Sequence, residues 1–212
     1  MRGLDLVRGR IRAAAQRVGR DPREIRLITV TKDVSLDDAR AALAAGALDL
    51  GESRAQQLAG RAEALPDATW HFIGPLQTNK VRYLDRVHLV HALERAREAE
   101  ALQARGERIG RSYDVLIEVN VAGEASKHGV APADAGELLA AVQKCPLVTP
   151  RGVMIVAPQV ENHEDVRWVF AEARRLRDEL GLSELSMGMT DDFEVAIEEG
   201  ATIVRIGRAI FH

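Results

Sequence analysis

The chain has 212 residues, of which 46% are hydrophobic, 29% charged and 4% aromatic, as is typical of one soluble α/β domain or a small barrel. Its formal net charge of -3 excludes a basic field that would hold nucleic acid or an anionic membrane. Cys145 is the single cysteine, which excludes an internal disulfide and a cysteine-based zinc cluster and fits a reducing cytoplasm.

The first element in chain order is an amphipathic helix rather than a signal peptide. Apolar residues recur at helical spacing over residues 4–18, and Gly19 ends the pattern. No apolar run in the chain approaches the roughly 20 residues that span a bilayer. We therefore expect a cytoplasmic protein without a membrane partner.

The second element carries the residue on which the functional interpretation depends. Residues 26–32 read Arg-Leu-Ile-Thr-Val-Thr-Lys, which predicts a strand buried in a parallel sheet. Ser35 then begins a helix with a capping-box-like start, so Lys32 lies where the strand ends. Ligands bind at that edge of parallel sheets, and a lysine desolvated by an apolar wall is a Schiff-base nucleophile. The alternative is a solvated lysine at a strand end.

Strands and helices alternate through the rest of the chain. We predict further strands at residues 47–50, 70–73, 87–91, 115–121, 183–187 and 202–207, and one within residues 147–156 that ends near Met154. Ser53 is the expected cap of a helix that runs to about residue 65. Eight strands separated by helices or helical turns predict one domain over residues 1–212, a (β/α)8 TIM-type barrel whose extra N-terminal helix covers one end or fills the last helix position. The alternative is an open doubly wound sheet, although no GxGxxG follows the first strand.

In a barrel, the C-terminal ends of all strands meet at one rim. That rim would gather Lys32, residues 51–53, 74–77, Asn120, Met154, 188–190 and 205–208. The N–H groups of 188–190 and the Thr190 hydroxyl would meet an anion at a helix N-terminus, and barrels often bind phosphate where Gly207 and Arg208 lie. Ordinary turns are the alternative for both segments. Asp191 and Asp192 could hold a metal, but we interpret them as favourable charges in a first helical turn.

A lysine, a phosphate site and a strand arginine together indicate pyridoxal 5'-phosphate (PLP), held as a Schiff base on Lys32. Arg205 would point at the pyridine nitrogen of PLP. A fixed positive charge there opposes protonation of the ring and disfavours carbanion chemistry. The alternative for Arg205 is a structural salt bridge at the strand end.

Several motifs make the chain similar to a known family. They are Val30-Thr31-Lys32, Gly51-Glu52, residues 71–80 (His-Phe-Ile-Gly-Pro-Leu-Gln-Thr-Asn-Lys), 126–129 (Ser-Lys-His-Gly), 186–192 (Ser-Met-Gly-Met-Thr-Asp-Asp) and 204–207 (Val-Arg-Ile-Gly). On these motifs the chain resembles the PLP homeostasis family of the YggS/PROSC type, which is similar to the barrel domain of alanine racemase standing alone. The resemblance runs from about residue 25 to residue 211.

The resemblance implies a protein that carries or regulates PLP and keeps vitamin B6 vitamers and amino and keto acid pools in balance, with no accepted catalytic activity. It implies PLP on Lys32, its phosphate against Met189, Thr190, Gly207 and Arg208, and Arg205 at the ring nitrogen. Lys127 matches a second proposed cofactor contact, and we include Ser53 and Asn120 among the cofactor-binding residues. The implied partners are PLP, other B6 vitamers and apo forms of PLP-dependent enzymes.

The sequence departs from the family pattern at several positions. Ser53 stands where asparagine is usual, which changes a hydrogen bond near the cofactor, and Val34 replaces a common second lysine. Thr190 replaces serine and keeps the hydroxyl, whereas Arg208 replaces a serine or threonine and adds a charge. The sequence ends at His212, and we therefore expect the family's longer tail to be absent.

Two enzymes remain as alternatives. An amino acid racemase dependent on PLP needs acid–base groups on both faces of the substrate carbon, and neither Tyr83 nor Tyr113 matches the second base of alanine racemase. In alanine racemase that base lies in an additional β-domain, and we expect this chain to have no residues left to form one. A partner chain that lends the group remains an alternative. A Schiff-base aldolase would use Lys32 but leave Arg205 and the phosphate site unexplained.

Overall fold

Eight parallel strands close into a barrel in chain order, with β8 pairing to β1. The structure is a computed structural model that describes residues 1–124 and 126–211, so His212 lies outside the described residues. The strands are β1 Arg26–Val30, β2 Asp49–Glu52, β3 Thr69–Phe72, β4 Val87–Leu93, β5 Tyr113–Glu118, β6 Val148–Met154, β7 Glu184–Ser186 and β8 Ile203–Ile206. The predicted (β/α)8 barrel is confirmed, and the open doubly wound sheet is wrong.

Helices surround the barrel and connect most strands. They are α1 Arg2–Arg17, α2 Leu36–Ala44, α3 Ala55–Ala64, α4 Ala96–Ile109, α5 Ala135–Val142, α6 Arg167–Glu179, α7 Phe193–Glu198 and α8 Arg208–Phe211. Between β3 and β4 the connection is the 3-10 helix Thr78–Tyr83. None of the helices in the described part of the chain is long and apolar enough to cross a membrane.

The extra N-terminal helix fills the last helix position of the barrel. Helix α8 has only four residues, and α1 packs against α7 and α8 through the buried side chains of Leu4, Val7 and Ile11. Arg8 of α1 also donates hydrogen bonds to the carbonyl oxygens of Ala45 at 3.3 Å and Gly46 at 2.7 Å, where α2 ends. Helix α1 therefore closes the ring of helices between α7 and α2.

The interior of the barrel is divided between a small apolar cluster and polar side chains. Six buried residues form an apolar cluster separate from the main core: Ile28, Leu89, Ala92, Leu116, Met154 and Ile203. Strand side chains alternate between two faces, so Arg205 shares the inward face of Ile203 and Glu118 shares that of Leu116. Two charged residues are thereby brought inside the barrel.

Two predicted boundaries near the rim are wrong. Strand β1 ends at Val30, and Lys32 lies in a turn in which the Val34 N–H donates to the Thr31 carbonyl at 3.1 Å. Helix α3 begins after Arg54, so Ser53 does not cap it. Ser35, in contrast, caps α2 as predicted by accepting the Asp38 N–H at 3.0 Å.

Candidate functional site

A cavity of about 810 Å³ opens at the C-terminal rim of the barrel. Most of the predicted cofactor-binding residues line it: Lys32, Ser53, Met189, Thr190, Arg205, Gly207 and Arg208. They come from the ends of β1, β2, β7 and β8, which are distant in sequence and meet only because the sheet closes. We predicted that these residues lie at the rim of the barrel, and they lie there in the structure.

Lys32 is held at the mouth of this cavity by a buried network beneath its turn. Arg61 of α3 donates to the Val34 carbonyl and pairs with Glu52 at 3.3 Å. Glu52 accepts the Thr31 hydroxyl at 2.8 Å, and burial raises the pKa of the Glu52 carboxyl. The Lys32 side chain itself is exposed, so the expectation that an apolar wall desolvates it is wrong. Its backbone is fixed while its amine remains accessible.

Arg205 lies on the floor of the cavity and is 5% exposed. Its Nη1 donates to the Ser186 hydroxyl at 2.6 Å and its Nη2 to the Ile155 carbonyl at 2.8 Å. Burial lowers the pKa of Arg205 to about 10, against the opposing effect of Glu118 and Asp192. Among the described residues, no carboxylate lies within 4.0 Å of its guanidinium, so the structural salt bridge is not formed there. The floor therefore carries a buried cation that only neutral groups contact.

Glu118 at the end of β5 also lines the cavity, and the sequence interpretation did not select it. It is 6% exposed, and its side chain makes no hydrogen bond with any other described residue. Burial, and secondly the charge of Glu94, raise the pKa of Glu118 to about 7, whereas His128 and Arg205 lower it. The sequence could have identified Glu118, because it is a charged residue at an inward-facing position of a barrel strand.

The predicted phosphate segment is a loop between β7 and α7, tied to β8 because the Arg205 N–H donates to the Gly188 carbonyl at 3.0 Å. Gly188 has φ +91°, and a Cβ there would lie 2.7 Å from the Ala196 Cβ, so glycine is required. Helix α7 has only six residues, so the expected support from a helix N-terminus is small. The anion-binding capacity must come from loop N–H groups instead.

Those N–H groups are not all free. The Met189 N–H donates to the Asp192 carboxylate at 2.6 Å, and burial raises the pKa of Asp192. The N–H groups of Thr190, Gly207 and Arg208 have no hydrogen-bond partner in the described part of the chain. An anion would thus meet three backbone donors from two neighbouring loops.

The side chains of Asp191 and Arg208 pair with each other at 2.6 Å in an exposed position. The charge that Arg208 adds is therefore partly neutralised.

Over residues 1–124 and 126–211, no group of three or more His, Cys, Asp or Glu side chains is placed to hold a metal ion.

Asn120 and Lys127 are not brought into the cavity. The Asn120 side-chain amide donates to the Glu124 carbonyl at 2.8 Å, and the Lys127 N–H donates to the same carbonyl at 3.0 Å. Both residues thus hold the loop after β5, and their roles as cofactor contacts stay predictions. The neighbouring His128, which we had not selected, does line the cavity and lies 3.4 Å from Glu94.

Comparison with known proteins agrees with this geometry. The model of the family described as alanine racemase, N-terminal domain, matches residues 4–212. A pyridoxal phosphate homeostasis protein of Aquifex aeolicus is 46% identical over 98% of this chain and 95% of its own length. One of Deinococcus radiodurans is 43% identical over 95% of each chain.

A solved structure with the same fold is that of PipY from Synechococcus elongatus with PLP bound. It has a TM-score of 0.84 and 33% sequence identity, and the match covers 96% of this chain and 99% of PipY. The resemblance stated from the motifs is thus confirmed over nearly the whole chain. The chain belongs to the family of the alanine racemase N-terminal domain and, within it, to the pyridoxal phosphate homeostasis proteins.

Proposed function

We propose that this chain binds PLP in the rim cavity and carries or regulates the cofactor in vitamin B6 and amino and keto acid homeostasis. The single observation that carries the proposal is that an accessible lysine, a buried arginine and unpartnered loop N–H groups line one cavity. The names of the curated relatives and the PLP bound to PipY support the same conclusion. We propose the activity for one domain over residues 1–212, acting in the cytoplasm.

The residues present fit PLP in charge and in chemistry. PLP supplies an aldehyde that condenses with a primary amine, and Lys32 is the cavity residue with such an amine. The donors of Thr190, Gly207 and Arg208 suit the phosphate, together with Met189. Arg205 would serve the ring nitrogen, and the Ser53 hydroxyl is free to bind because it caps no helix. Asn120 and Lys127 would form a second contact area in the loop after β5.

A carrier or regulator is favoured over a racemase-like enzyme. Neither Tyr83 nor Tyr113 lines the cavity, so no described tyrosine there serves as the second base. The fixed charge of Arg205 would also oppose protonation of the ring and weaken it as an electron sink. Transfer of PLP to apo-enzymes and binding of other B6 vitamers also belong to the proposal, as the homeostasis role named for the curated relatives suggests.

The test is a spectroscopic titration of the purified protein with PLP. We expect a visible band in the wild type, its loss in Lys32→Ala, and its retention in Lys144→Ala, which removes an exposed lysine at the opposite end of the barrel. A wild type that takes up no PLP would overturn the proposal. Exchange of the α-proton of an added amino acid, faster than free PLP gives, would favour the racemase instead.

A further inference from the structure

A continuous line of hydrogen-bonded side chains crosses the barrel interior and ends on Arg205. Asp49 Oδ1 lies 2.9 Å from His71 Nε2, and His71 Nδ1 lies 3.1 Å from His91 Nε2. His91 Nδ1 lies 3.0 Å from the Ser186 hydroxyl, which is the hydroxyl that accepts Arg205 Nη1 at 2.6 Å. Both imidazoles and Ser186 are completely buried. The line starts at the first residue of β2 and ends at the cavity floor.

The chemistry of the groups in this line determines which atom donates and which accepts in each hydrogen bond. A carboxylate only accepts, so His71 donates from Nε2, and its Nδ1 is then an acceptor. His91 must therefore donate from Nε2 to His71, which leaves its own Nδ1 to accept the Ser186 proton. Ser186 consequently faces Arg205 with an oxygen lone pair. Burial is the main reason that the pKa values of His71 and His91 lie below the ordinary histidine value, as two neutral rings require.

We propose that His71 and His91 are positioning residues that fix the Arg205 guanidinium for the ring nitrogen of PLP. They act by holding the Ser186 hydroxyl so that its hydrogen points away from Arg205. The Ile155 carbonyl fixes the other guanidinium nitrogen, so the two acceptors define the plane of the group. The inference rests on the proposed function, because it assigns the purpose of Arg205 to PLP.

If His71 and His91 had a purely structural role, their substitution would change folding and leave PLP binding by the folded protein unchanged. Two substitutions of His91 separate the roles. Asparagine places an amide oxygen near the position of Nδ1 and keeps an acceptor for Ser186. Glutamine places its amide nitrogen near the position of Nε2, which keeps the donor to His71 but leaves Ser186 without its acceptor. Both variants remove the imidazole ring, and asparagine is one methylene shorter than glutamine.

The experiment measures the PLP dissociation constant and the visible absorption maximum of bound PLP in His91→Asn, His91→Gln and Ser186→Ala. Thermal unfolding without PLP serves as the folding control. We expect His91→Gln and Ser186→Ala to bind PLP about tenfold more weakly with a shifted maximum, because a hydrogen bond to a charged group is disturbed. His91→Asn should stay within about threefold of the wild type. If His91→Gln fails to fold, Ser186→Ala provides the same comparison.

Nitrogen NMR of the wild type without PLP tests the line independently. We expect His71 and His91 to be neutral with the proton on Nε2, and a proton on Nδ1 of His91 would overturn the inference. Wild-type binding and spectrum in both His91→Gln and Ser186→Ala would overturn it as well, while the proposed function would stand. A wild type that takes up no PLP refutes the proposed function and, with it, the purpose given to Arg205.

Discussion

Glu118 is a buried carboxyl whose ionisation opposes folding, so replacing it with glutamine should stabilise the protein above neutral pH. Its pKa rises from 4.5 to about 7 in the folded state. Between these values the folded protein holds a proton that the unfolded chain has lost, so stability falls as the pH rises and levels off above about 7. At about 1.36 kcal/mol per pH unit, ionisation of Glu118 lowers the free energy of unfolding by roughly 3 kcal/mol at pH 8 and has almost no effect at pH 4.

The assay is urea unfolding of wild type and Glu118→Gln at pH 4 and at pH 8. The substitution increases the free energy of unfolding by a different amount at each pH. The difference between the increase at pH 8 and the increase at pH 4 is due to the ionisation of Glu118, because both proteins share all other titrating groups. Glu137→Gln on the exposed face of α5 is the matched control, and we expect it to change stability by less than about 0.5 kcal/mol at either pH. An equal effect of Glu118→Gln at the two pH values would refute the reasoning.

Two further predictions concern the loop between β7 and α7. Gly188→Ala should reduce the free energy of unfolding by about 3 kcal/mol, whereas the control Gly19→Ala should reduce it by roughly 1 kcal/mol. Both glycines have positive φ, but only Gly188 has no room for a Cβ. Equal losses of stability in urea unfolding would contradict this packing argument. Asp192→Asn should keep the hydrogen bond from Met189 while removing a negative charge beside the phosphate donors. PLP should then bind about fivefold more tightly at pH 8, the effect of roughly 1 kcal/mol, and unchanged or weaker affinity in the spectroscopic titration would show that the loop does not hold the phosphate.

The sequence predicted the barrel because eight apolar segments of strand length alternate with helices or helical turns. It failed at the ends of elements, where local hydrogen bonds decide. The predicted strand to Lys32 stops at Val30 because the chain turns there, and Ser53 caps nothing because α3 begins one residue later. Hydrophobic periodicity does not locate element ends to within one or two residues.

The site was predictable as a set of strand ends but not as a set of contacts. Closure of the barrel placed Lys32 and Arg205 in one cavity, as the rim argument required. The loop after β5 bends so that His128, rather than Asn120, lines the cavity. Two contacts accompany this bend: His128 lies 3.4 Å from the Glu94 carboxylate, and the Asn120 amide donates a hydrogen bond to the Glu124 carbonyl. The histidines beneath Arg205 were missed because they lie on different strands whose pairing register the sequence does not state.

The central claim is that the Lys32 amine and bound PLP form a Schiff base in the rim cavity. Borohydride reduction of the PLP-loaded protein, followed by digestion and mass spectrometry of the peptides, tests it most directly. The account predicts a stable pyridoxyl phosphate adduct on the peptide that contains Lys32. An adduct on Lys80, Lys127 or Lys144 instead, or no adduct on a protein that has bound PLP, would contradict it.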